Sequence, residues 1–109
     1  MKVCPIIAAL LMTGITQGHS EDYGGDIEVM LLEIELLMFD ASVSRTRLAI
    51  EIADSAEFYA AWAKLPPTER DAIMARKNMV FIDALKYATD ERLIRTRNSF
   101  MFQEQERTK

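Results

Sequence analysis

The sequence predicts an all-α protein: a small bundle of three to four helices that follows a cleaved N-terminal signal peptide. Three observations carry this. After Gly25 the chain contains no glycine, and Pro66-Pro67 is its only later glycine or proline punctuation. No stretch alternates apolar and polar residues with the period of two that a half-buried strand needs. From Ile27 to Phe102 apolar residues recur instead at spacings of three and four, the period of a helix with one buried side.

The first segment, residues 1–20, reads MKVCPIIAALLMTGITQGHS. Lys2 supplies a positive start, Val3 to Ile15 form an apolar run, and the chain then turns small and polar, the pattern of a secretory leader. Cleavage fits the small-x-small rule at Thr16/Gly18 or at Gly18/Ser20, and the second places Glu21 and Asp22 just after the cut. The run of 13 residues is short of the roughly 18 needed to span a bilayer. Residues 21–25 (EDYGG) read as a flexible lead-in, with Gly24-Gly25 halting structure and Asp26 as N-cap. The helical domain is then 26–102, and the polar residues 103–109 are expected to fray.

The first predicted helix, from about Ile27 to Phe39, carries two apolar stripes. Ile27, Leu31, Ile34 and Met38 form one, and Val29, Leu32, Leu36 and Phe39 form another far round the helix. Acidic edges separate them: Asp26, Glu33 and Asp40 on one side, Glu28 and Glu35 on the other. A helix apolar on two faces must be covered on both. It is either central to the core or keeps one face for a partner or a second copy.

Residues 40–46 (DASVSRT) are weak helix formers, and Ser42 or Ser44 is expected to cap a new helix there. The second predicted helix, about Arg45 to Lys64, repeats Ala49, Ala53, Ala56, Ala60 and Ala63 as a close-packing seam. It ends before Pro66, because a residue preceding proline leaves the α region. Phe58, Tyr59 and Trp62 are expected in the core, with Tyr59 and Trp62 as the alternative partner hot spot. The third helix is expected to open with Thr68 as N-cap and Asp71 at N3, and to bury Ile73, Met74, Val80, Phe81, Ala84, Leu85 and Ala88. Thr89-Asp90 is expected to cap a fourth helix running through Leu93, Ile94, Met101 and Phe102.

Composition narrows the chemistry. Cys4 lies in the leader and His19 at the cut, so the mature chain has no cysteine and, with the second cut, no histidine. That removes disulfides, thiol nucleophiles and the commonest zinc ligands and general bases. The charge is uneven. Residues 21–57 hold ten acidic and two basic residues, and residues 58–109 hold seven acidic and ten basic. The two halves are expected to fold against each other, or the acidic half to meet a basic partner. No phosphate-binding glycine loop, nucleophile elbow or calcium loop is present. Arg92, Arg95 and Arg97 beside Phe100 and Phe102 are interrupted by Glu91, Glu104 and Glu106, which reads as a solvated face and not a nucleic-acid patch.

Leu65 to Arg70 (LPPTER) resembles the helix starts of Spy-like periplasmic chaperones over six residues, without that pattern's glutamine. In size and build the chain is also similar to periplasmic immunity proteins that block cell-wall-degrading toxins, many of which carry cysteines. Neither resemblance transfers a site. The expectation is an exported periplasmic protein, without enzymatic activity, cofactor or metal, that binds another protein as an inhibitor, small chaperone or accessory factor of an envelope machine. Its candidate partner-binding residues are Glu28, Leu32, Glu33, Glu35, Phe39, Tyr59 and Trp62. A homodimer through 27–39 is an option, nucleic acid is not expected, and the membrane enters only for export. The alternatives are a cytoplasmic or phage- or plasmid-encoded helical regulator, and a hydrolase using carboxylates alone.

Overall fold

Burial along the first helix follows one of its two stripes. In the computed structural model, which describes residues 23–109, Ile27, Leu31, Ile34 and Met38 are all buried and form the spine of the core. The leader, including Cys4 and His19, lies outside the described residues.

Five helices follow in order: α1 Tyr23–Met38, α2 Val43–Ala53, α3 Ala56–Ala63, α4 Pro67–Ala84 and α5 Glu91–Arg107. The described part is thus all-helical, with five helices where three to four were expected. α1 packs against α2, α3 and α4, α5 packs chiefly on α4, and lighter contacts join α2 to α5 and α3 to α4.

The extra helix comes from a break inside the predicted second helix. Asp54 ends α2, and the Ser55 hydroxyl caps α3 by accepting from Phe58 N–H at 3.1 Å while donating to the Ile52 carbonyl at 2.8 Å. Serine competes well for such orphan groups, so it ends one helix and starts the next. The alanine seam is cut with it. Ala49, Ala53 and Ala61 are buried, but Ala56, Ala60 and Ala63 are exposed. The break at residues 40–42 is as expected, with Ser42 accepting from Arg45 N–H at 3.2 Å.

Three boundaries differ from the sequence reading. α1 begins at Tyr23, so Gly24-Gly25 lies in its first turn and Asp26 is a first-turn acid, not the N-cap. The first four N–H groups of any helix lack helical partners, so glycine weakens little there. α4 begins at Pro67, with Pro66 and not Thr68 as N-cap and no side-chain cap. A proline at the first helical position has its φ already set and lacks only an N–H that would be unpaired anyway. α5 runs through Arg107, beyond the expected fraying point. Arg107 pairs with Glu104 and reaches Asp71 of α4 at 2.5 Å, which holds the last turn down.

Asp90 caps α5 as expected, accepting from Arg92 N–H at 2.8 Å. The buried side of α5 is Leu93 and Phe100, while Met101 and Phe102 are exposed. Residues seven apart share a face, and Phe100 stacks on Phe81 at 4.1 Å. On α4 the core face includes Lys77 and Asn78, a lysine and an amide buried among apolar neighbours. The Lys77 ammonium stands over the ring of Phe100, 5.5 Å from its centroid, and donates to the Gln103 side-chain carbonyl at 3.4 Å. Burial pulls its pKa below the ordinary lysine value, with Asp54 opposing.

Candidate protein-binding face

At 100° per residue, Val29, Leu32 and Leu36 lie about 160° from the buried stripe of α1, and Phe39 follows in the turn just past its end. They are open to solvent: 59% exposed at Val29, 52% at Leu32, 60% at Leu36 and 94% at Phe39. Leu48 of α2 is another large apolar side chain that stays half exposed. Scattered exposed leucines are ordinary, but four large apolar side chains along one helix face and the turn after it are not.

Acidic side chains border this stripe on both sides. On one edge Glu28 and Glu35 embrace Arg76 of α4, at 2.7 and 3.5 Å. The Glu28 hydrogen bond, more than any other factor, holds the Arg76 guanidinium above its ordinary pKa. This is a pairing of the acidic half with the basic half. The pair is partly exposed, so its energetic value is modest, roughly 0–1 kcal/mol. On the other edge Asp26, Glu33 and Asp40 are exposed.

Beyond the Asp26–Glu33 edge, α1 meets α2 and α3 along a shallow trough made of two depressions that share Met30 and Glu57. One, of about 490 Å³, is lined by Val29, Met30, Ala60 and Ala61, with Asp26, Glu57 and Lys64 around it. The other, of about 480 Å³, is lined by Met30, Leu37, Leu48 and Ile52, with Glu33, Glu51, Ser55 and Glu57 around it. Arg45 secures the far end of α1. Its Nε donates to the Leu37 carbonyl at 3.2 Å and its Nη2 to the Leu36 carbonyl at 3.3 Å, which also accepts from the Phe39 N–H, so the last-turn carbonyls are held.

Of the seven residues singled out from sequence, Glu28, Leu32, Glu33, Glu35 and Phe39 thus share the outer side of α1. Tyr59 and Trp62 do not join them. α3 turns Glu57, Ala60, Ala61 and Lys64 to the trough, and Tyr59, two positions after Glu57, points about 200° away. Tyr59 stacks edge-on with Phe58 and Trp62, at 5.9 and 6.2 Å. Burial first and Asp54 second raise its pKa. Trp62 is half-buried and structural: its Nε1–H donates to the Arg70 carbonyl at 2.9 Å, and the Arg70 guanidinium lies 5.6 Å over its ring, tying α3 to α4 across Pro66-Pro67. Sequence reasoning did not single out Arg76, Arg45, Met30, Leu37 or Leu48 for this face. Arg76 and Arg45 act over separations of 48 and of 8–9 residues, and no local pattern marks such partners.

Glu28 and Glu35 are held by a guanidinium, and Glu33 is exposed. Among the described residues no group of three or more acidic side chains is arranged to hold a metal ion, and no helix is long and apolar enough to cross a membrane. Compared with protein-family models, curated proteins and solved structures, the chain matches none. What fold and site define is therefore a class: an all-α protein with an acid-bordered apolar face along its first helix.

Proposed function

We propose that this is an exported, non-enzymatic helical protein that acts by binding another protein, as an inhibitor, small chaperone or accessory factor of an envelope machine. The observation that carries the reading is the exposure of Val29, Leu32 and Leu36 on one face of α1, extended by Phe39 in the turn that follows it. Half or more of the burial free energy of Val29, Leu32 and Leu36, and nearly all of that of Phe39, is unrealised, about 4–8 kcal/mol for the four together. A partner covering them would recover it, against the cost of association. The exposed Asp26, Glu33 and Asp40 border favours a partner with basic residues beside its own apolar centre, and it disfavours pairings of two copies that bring these borders together. Export rests on the leader pattern of residues 1–20.

Two measurements test this. Mass spectrometry of the protein from fractionated cells should find an N-terminus near Glu21 outside the cytoplasm. Intact Met1 in the cytoplasmic fraction would overturn export. A photo-crosslinking residue at Leu36 should give a discrete protein adduct that Leu32→Asp abolishes, with the helical circular dichroism unchanged. An adduct insensitive to Leu32→Asp would overturn the assignment of this face.

A further inference from the structure

We propose that the trough between α1 and the α2–α3 arm receives a basic amphipathic helix of about three turns from the partner protein. The inference rests on the protein-binding reading and specifies the shape and charge of what is bound. Along α1 the trough extends from Asp26 to Leu37, which at 1.5 Å per residue is about 16 Å, or three helical turns. Its floor is apolar: Met30 at the centre, Ala60 and Ala61 toward one end, Leu37, Leu48 and Ile52 toward the other. A helix laid in a groove between helices presents side chains at i, i+4 and i+7 along such a line, and each depression has room for a large one.

The charge of the walls selects the occupant further. Asp26, Glu33, Glu51 and Glu57 surround the floor, and Lys64 is the one cation among the described residues lining it. Lysine or arginine flanking the apolar anchors of an incoming helix would stand beside these carboxylates. The outer face of a second copy's α1 would bring its exposed Asp26 and Glu33 edge there instead, like charge against like. Exposed carboxylates attract such a helix from a distance and act only at modest ionic strength. The trough also runs beside the outer stripe, sharing Val29 with it, so one partner can cover both.

The test uses the chain with amide resonances assigned. The probe is a helical peptide of about 14 residues with leucine at i, i+4 and i+7 and lysine on both flanks. Controls are the same composition scrambled and the same peptide with glutamate for lysine. The expected result is a shift of the Met30, Leu37, Ile52 and Ala60 amides by the first peptide alone. Affinity should fall at least about tenfold with Glu33→Lys plus Glu57→Lys, and about tenfold on raising salt from about 0.05 to about 0.5 M. Equal shifts by the scrambled or acidic peptide, or shifts elsewhere only, overturn the inference. So does a dimer of the chain alone whose formation shifts the same amides, because the occupant is then a second copy. If the Leu36 adduct forms and the peptide fails, the trough inference falls while protein binding stands. If neither occurs, both fall.

Discussion

Leu31 and Leu32 are neighbours of the same type with opposite fates, and truncating each in turn measures how α1 is covered. Leu31 is 0% exposed and Leu32 is 52% exposed. Leu→Ala removes about three carbons, worth about 2.4 kcal/mol of transfer free energy when wholly buried. At Leu31 the cavity left behind adds roughly 1 kcal/mol, for a loss of about 3–4 kcal/mol. At Leu32 only about half of the transfer term applies, no closed cavity forms, and alanine is the better helix former, so the loss is about 1 kcal/mol. A domain of this size holds on the order of 5–10 kcal/mol in all, so the first change is severe and the second mild. Urea unfolding followed by circular dichroism should separate the two midpoints by about 2 M at a slope near 1–1.5 kcal/mol/M. Equal shifts in dilute solution would refute the reasoning, because Leu32 would then be buried within the monomer. A Leu32→Ala shift that grows with protein concentration would place that face against a second copy.

Three further predictions concern the framework that holds this face. Ser55→Ala should cost about 1 kcal/mol by uncapping α3, read as a lower thermal midpoint, whereas Ser55→Gly should cost less. Glu104 has its pKa held down to about 2, first by its Arg107 hydrogen bond and then by Asn78. A depressed carboxylate stabilises the fold above its unfolded value, here 4.5, and loses that contribution as pH falls toward about 2. Glu104→Gln should flatten the stability profile across that acid window, and an unchanged profile would show the pairing is not formed. Lys77 is buried with a lowered pKa, so its charge costs stability at neutral pH. Lys77→Met should raise the unfolding free energy by about 1 kcal/mol at neutral pH, with the gain shrinking as pH rises toward 10.5.

Much of the architecture is legible in local patterns. The 4-3-4 spacing of Ile27, Leu31, Ile34 and Met38, the Ser42 and Asp90 caps and the Pro66-Pro67 corner are each specified by residues a few positions apart. The Asp54-Ser55 break was equally local but was masked by the alanine repeat, whose regularity suggested one helix. The burial of Phe100 is also local in origin, seven positions after Leu93, but Arg97 before it and Phe102 and Glu104 after it give that stretch the look of a solvated face.

The sequence by itself determined that α1 has two apolar stripes divided by acidic edges, because that follows from composition and a 3.6-residue period alone. Which stripe is buried was decided by the tertiary structure. The stripes are about equally apolar, so periodicity cannot rank them. Packing of α1 against α2, α3 and α4 buries Ile27, Leu31, Ile34 and Met38, with Arg76 of α4 pairing Glu28 and Glu35 at the rim. The same packing leaves Val29, Leu32, Leu36 and Phe39 outside beside an acidic trough, and a local pattern contains neither the 48-residue separation of that pairing nor the trough it shapes.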